Sequence, residues 1–151
     1  MEKIISVNSR EETYEIGRKF GKVLGTGDIV MLDGALGAGK TVITKGICES
    51  LGVTGEVFSP TYAIMNEYQS PTCDIYHYDA YRLSSKEDLY DVGFFDNVYD
   101  GISIVEWAGN VFADDDEADN IIRIQIKRLD DVSETAREIT ISLPEGRSID
   151  I

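Results

Sequence analysis

Long hydrophobic runs, basic charge and cysteine are what this chain lacks. No stretch approaches the roughly 18 apolar residues of a membrane-spanning helix, and the opening Met1–Ser6 has no charged-then-apolar leader layout. Lysine and arginine number 14 against 28 aspartates and glutamates, a net charge of −14. That balance excludes a broad phosphate-neutralising face for DNA or RNA. Action on nucleic acid through a basic partner stays open. The two cysteines, Cys48 and Cys73, have neither paired nor metal-type spacing, which points to a reducing, cytosolic setting. Histidine and tryptophan occur once each, as His77 and Trp107. No repeat, low-complexity tract or linker divides the 151 residues, so one domain of 1–151 with an ordinary globular composition is expected.

What is present is concentrated in Gly34-Ala-Leu-Gly-Ala-Gly-Lys-Thr41, the pattern G-x-x-x-x-G-K-[ST]. Glycines let the backbone turn tightly and aim its N–H groups at phosphate oxygens. The following helix adds unpaired amides and the positive end of its dipole. Lys40 then reaches the β- and γ-phosphates, and the Thr41 hydroxyl ligates Mg²⁺. The context agrees. Asp28–Asp33 is a short apolar run with β-branched residues, as in a buried strand, and Val42–Leu51 carries Ile43, Ile47 and Leu51 at helical spacing. The expected nucleotide-binding set is Gly34, Gly37, Ala38, Gly39, Lys40, Thr41 and Val42, for ATP with Mg²⁺.

Around this unit the sequence predicts a first strand at Lys3–Val7 and a helix at Arg10–Leu24 capped by Ser9 or Thr13. Glu56–Phe58 looks strand-like. Tyr62–Tyr68 and Asp74–Tyr78 read as two strands around Ser70-Pro71, the second alternating as if one side met solvent. Ser84–Tyr90 predicts a helix opened by Ser84 or Ser85, with Asp88 placed for a capping box. Gly101–Val105 is a second buried strand. Ile121–Ile126 and Arg137–Leu143 form a closing antiparallel pair around Asp130-Asp131, and the residues after Pro144 read as a tail. Asp114–Glu117 reads as a solvated acidic loop. The predicted class is α/β: a three-layer P-loop fold, its central sheet mostly parallel with an antiparallel C-terminal pair, and the nucleotide at the carboxyl ends of the strands.

Hydrolysis needs more than a P-loop. Glu106 ends the strand Ile102–Val105, where a carboxylate holds Mg²⁺ through water or orients the attacking water. In His77-Tyr-Asp-Ala-Tyr-Arg-Leu83, Asp79 is placed to position water or a metal-bound water, and Arg82 to offset phosphate charge or hold Asp79. Ser59-Pro-Thr61 offers two hydroxyls on a rigid turn, suited to sensing a γ-phosphate. Taken alone, His77 reads as a packed structural histidine and Trp107 as a packing residue beside a site.

The P-loop, Ser59-Pro-Thr-Tyr62, His77-Tyr-Asp-Ala-Tyr-Arg-Leu83 and Ile104-Val-Glu-Trp107, in this order and spacing, resemble the TsaE family of small P-loop ATPases of tRNA threonylcarbamoyladenosine synthesis. The resemblance implies an ATPase acting with a TsaB–TsaD pair, which transfers threonylcarbamoyl to an adenosine beside the anticodon. tRNA is then met through that pair, and no membrane is involved. It also implies Lys40 and Thr41 as phosphate and Mg²⁺ residues, and Glu106 as the strand-end acid on Mg²⁺. Ser59–Thr61 and Asp79–Arg82 become switch-like segments, Asp79 serving hydrolysis and His77, Tyr81 and Trp107 belonging to the partner-coupled set. Family members also contact nucleotide near the first helix and last strand, which makes Arg137 a candidate. Three rivals are weighed, one of them a nucleotide-gated binding module whose ATP state controls docking. A GTPase wants an [N/T]-K-x-D element, for which Ser85-Lys-Glu-Asp88 is a near miss. A small-molecule kinase wants several arginines, and Arg82 is alone between Lys40 and Ile121.

Overall fold

The computed structural model describes residues 1–61, 63–113 and 118–150. Tyr62 and the acidic run Asp114–Glu117 fall outside the described residues. The elements in chain order are β1 (Glu2–Val7), α1 (Arg10–Gly21), β2 (Ile29–Gly34), α2 (Lys40–Ser50), β3 (Met65–Gln69), β4 (Asp74–Asp79), α3 (Lys86–Asp91), α4 (Phe94–Asn97), β5 (Gly101–Glu106), β6 (Ile121–Arg128) and β7 (Arg137–Ser142), with a 3₁₀ turn at Ala108–Asn110. The strands form one sheet in the order β1-β7-β6-β2-β5-β4-β3. The four central strands β6, β2, β5 and β4 run parallel. Antiparallel strands close both edges: β7 and β1 on one side, β3 on the other. No helix among the described residues is long and apolar enough to cross a membrane.

The sheet is covered on both faces, giving three layers. One core packs Phe20 of α1 and Ile43 and Ile47 of α2 against Val30, Leu32, Ile104, Ile122, Ile124 and Ile139. The other packs Leu89, Phe94 and Val98 from the α3–α4 region against Met31, Tyr76, Tyr78 and Val105. Parallel strands buried on both faces read as continuous apolar runs, and β2 and β5 do so. Glycine lets α1 and α2 touch: a Cβ on Gly46 would lie 2.2 Å from the Tyr14 carbonyl, and one on Gly17 2.4 Å from that of Ile43.

Several local expectations change. Ser9, not Thr13, caps α1, its hydroxyl accepting the Glu12 amide at 3.1 Å. α1 stops at Gly21, where Val23 and Leu24 turn back through bonds to Phe20 and Gly21. Glu56–Phe58 is not a strand, because its polar groups are taken by side chains: the Phe58 carbonyl accepts from Tyr68 and Asn66. β4 does not face solvent on one side. Tyr76, His77, Tyr78 and Asp79 are all buried between the two helical layers, with His77 against Glu106 and Asp79 accepting the Tyr81 amide. Ser85 caps α3, and the Asp88 carboxylate bonds the Ser84 amide and hydroxyl, one residue before the cap. The last residues are not a free tail. Arg147 forks onto both oxygens of Asp28 at 2.7 and 2.9 Å, and Ile149 is buried.

Candidate nucleotide site

β2 runs out at Gly34, and the chain turns through residues 35–39 into α2. Gly37 and Gly39 have φ of +78° and +115°, conformations that side chains with a Cβ resist. Gly39 is the N-cap, so no side chain competes for the first amides of α2, and no acidic residue sits in its first turn. Those amides and the helix dipole favour an anion. The loop is braced by Arg137 on β7. Its guanidinium donates to the carbonyls of Ala38 at 2.7 Å and Gly37 at 3.2 Å, and to Glu134 and Ala136. Those contacts tie the loop to the last strand.

The loop borders a cleft of about 540 Å³, within the range of small-ligand sites. Gly37, Ala38, Gly39, Lys40, Thr41 and Val42 line it. Asp79 enters from the end of β4 and Glu106 from the end of β5, strands whose register sets these two residues side by side. Ser59, Thr61, Trp107 and Arg137 complete the expected set in the cleft wall. Thus the carboxyl ends of three neighbouring parallel strands, β2, β5 and β4, bring the P-loop and two acids together.

Lys40 is buried, its ammonium 2.7 Å from the Gly34 carbonyl and 4.0 Å from the Trp107 ring centroid. Burial pulls it below the ordinary lysine range, against the opposing pull of the carboxylates of Glu106, Asp79 and Asp33. Asp33 is shifted the other way, burial pushing its carboxyl up while the Gly109 and Ala108 amides hold it down. Those two bonds fasten the turn that follows Trp107, whose φ of +57° is unusual for a large side chain. Asp79 accepts the Tyr81 amide at 2.9 Å. Ser59 and Thr61 hydroxyls lie 2.6 Å apart.

Other expected residues surround the cleft without lining it. His77 is buried behind Glu106, its Nε2 2.5 Å from Oε2. Tyr81 stands edge-on to Trp107, centroids 5.1 Å apart. Arg82 does not hold Asp79; it donates to the Thr61 carbonyl at 2.8 Å. Ser85-Lys-Glu-Asp88, the near match to a guanine-reading element, is occupied in capping α3. Sequence reasoning passed over Arg10 and Thr13 at the start of α1, Thr135 before β7, and Leu36 at the loop tip, all of which line the cleft. For Arg10 and Thr13 the signal was the resemblance, which implies nucleotide contact near the first helix without naming residues. Asp33, at the end of an apolar strand, was visible only as a strand boundary.

A family model described as "Threonylcarbamoyl adenosine biosynthesis protein TsaE" matches residues 7–139. The tRNA threonylcarbamoyladenosine biosynthesis protein TsaE of Treponema pallidum is 35% identical, over 89% of this chain and 96% of its own. The protein of the same name from Bacillus subtilis is 37% identical, over 91% and 83%. The crystal structure of Bacillus subtilis YdiB superposes with a TM-score of 0.72 at 31% identity, covering 93% of this chain and 84% of that one.

Proposed function

The chain belongs to the TsaE family, and from that premise we propose that it is a Mg²⁺-dependent ATPase of the cytosol. It serves threonylcarbamoyl modification of the tRNA adenosine next to the anticodon, together with a TsaB–TsaD pair. The observation that carries the reading is the meeting, in one cleft, of the P-loop and Lys40 with Thr41, Asp79 and Glu106. The donors suit the cofactor. A hydroxyl and a buried carboxylate are hard oxygen ligands of the type Mg²⁺ takes, so Thr41 and Glu106 would hold it. Mg²⁺, when bound, neutralises charge on the phosphoryl oxygens.

The protein's own groups have separate tasks. The P-loop amides and Lys40 bind and orient the phosphates. Asp79 or Glu106 orients the attacking water, both being strand-end carboxylates in the cleft. Arg82 is tied to Thr61, so no arginine finger is in place on that segment. Such a residue is worth about 10³ to 10⁵ in rate, and with Arg82 so engaged slow basal turnover is the expectation. The net charge of −14 supports meeting tRNA through the partner pair rather than by direct phosphate contact.

The test is ATP hydrolysis by the purified chain, alone and with a TsaB–TsaD pair plus tRNA. Slow turnover that changes with the pair supports the reading. Brisk turnover indifferent to the pair leaves an independent nucleoside triphosphatase.

A further inference from the structure

Two buried side chains behind the cleft have no task in the scheme above. His77 lies opposite Ile104 in the β4–β5 register, two residues before Glu106. Residues two apart on a strand share a face, so the imidazole and the Glu106 carboxylate are diagonal neighbours on one side of the sheet. His77 is wholly buried, and its Nε2 is 2.5 Å from Glu106 Oε2. Its other nitrogen, Nδ1, is 3.5 Å from the Tyr68 hydroxyl on β3. That hydroxyl donates to the Phe58 carbonyl at 3.0 Å, where Asn66 also donates at 3.2 Å. Phe58 immediately precedes Ser59. A chain of polar contacts therefore crosses β3 and β4, from the root of the Ser59–Thr61 segment to the strand-end acid.

The chemistry gives this chain a direction. A carboxylate only accepts hydrogen bonds, so the Nε2 that faces Glu106 carries a hydrogen and donates it. The Tyr68 hydroxyl stands between the Phe58 carbonyl and Nδ1. The position of Phe58 thus bears on how firmly the ring is held. With Oε2 occupied by His77, no described residue donates to Oε1, and Glu106 lines the cleft. Carboxylates and imidazoles placed behind metal ligands commonly fix their orientation, and their loss costs about 10- to 100-fold in metal affinity.

We propose that His77 and Tyr68 are positioning residues for Glu106. They hold Oε2 so that Oε1 is presented to the divalent cation, and they link that presentation to the Ser59–Thr61 segment. The proposal rests on the Mg²⁺–ATP reading of the cleft and adds to it a buried relay that touches neither nucleotide nor metal.

Because His77 is the only histidine, the full chain labelled with ¹⁵N-histidine gives one pair of ring nitrogens in an NMR spectrum. The expected spectrum is that of a ring with a hydrogen on Nε2. Its Nε2 resonance should shift when Mg²⁺ is added to protein already saturated with a non-hydrolysable ATP analogue, and Tyr68→Phe should shift Nδ1. In parallel, Mn²⁺ binding to the ADP-saturated protein is read by electron paramagnetic resonance. His77→Leu should weaken it about tenfold, while His77→Gln, which keeps an N–H donor, restores it. Nucleotide affinity in EDTA should be unchanged in each variant. Ring resonances indifferent to Mg²⁺, or Mn²⁺ affinity untouched in His77→Leu, would overturn the relay and leave the P-loop reading standing. Failure of the unmutated chain to bind nucleotide would overturn both. If circular dichroism shows His77→Leu unfolded, Tyr68→Phe decides: unchanged Nδ1 shift and unchanged Mn²⁺ affinity overturn the relay.

Discussion

Lys40 carries three relations at once: it opens α2, donates to the Gly34 carbonyl, and lies over Trp107. Its ammonium is already desolvated and already faces the cleft, so a phosphate can replace the carbonyl without a long side-chain excursion. Lys40→Ala should therefore abolish productive ATP use. Asp79→Ala should act differently. Asp79 enters the cleft from the end of β4 and is not part of the phosphate-binding loop, so nucleotide affinity should change little while turnover falls by about 10²-fold or more. Calorimetric binding set beside phosphate release checks the division, and equal loss of binding in both variants would contradict it. Arg147 is the stabilising counterpart far from the site. Removing it leaves the buried Asp28 carboxylate with only the Gly25 amide as a partner, so Arg147→Ala should cost about 2 kcal/mol in denaturant unfolding without altering ATP affinity. The Asp28–Arg147 bond was illegible in the sequence because 119 residues separate its ends. Lys40 was legible because the glycines, the lysine and the helix that give it its role are all local.

At the scale of elements, the α1–α2 contact shows how sequence and packing divide the work. Each helix has its own apolar face and stop signal, which periodicity reveals. That they meet at Gly17 and Gly46, backbone against backbone, is a property of the pair. Gly46→Ala is favourable for an isolated helix, yet its Cβ would collide with the Tyr14 carbonyl. The expected net result is a loss of about 1–3 kcal/mol, seen as a lowered denaturation midpoint. A gain in stability would show that the helices can separate freely. The same distinction explains the misread strands. Asp74–Tyr78 alternates polar and apolar residues, which on a half-exposed strand means one wet face. β4 is instead flanked by β3 and β5 and covered on both sides, so its histidine is polar for a reason internal to the molecule: it bonds Glu106. Glu56–Phe58 has strand composition, but the side chains of Asn66 and Tyr68 take the polar groups that a ladder would need. α4, only Phe94–Asn97, is too short for any periodicity to register.

For the molecule as a whole, the net charge of −14 on 151 residues is a self-repelling distribution. Chloride salts that screen it should raise the melting temperature between about 10 mM and 150 mM, where the Debye length falls below about 10 Å. A melting temperature that drops with added salt would mean that favourable ion pairs outweigh the repulsion. The layered α/β architecture was legible from the order of strands and helices around the P-loop, since each apolar run must be buried. The strand order was not, because pairing is set by which edges meet across long loops. Sequence alone determined the phosphate-binding loop, its helix, and the candidacy of Glu106 and Asp79 as strand-end acids, since these depend on backbone conformation and spacing within a few residues. Tertiary structure decided that β4 and β5 run side by side and so bring both acids to the P-loop. It also decided that Arg137 braces the loop, that Arg82 grips Thr61, and that His77 stands behind Glu106. Those relations join residues from 21 to 100 positions apart, at distances where only the packed sheet specifies which side chains become neighbours.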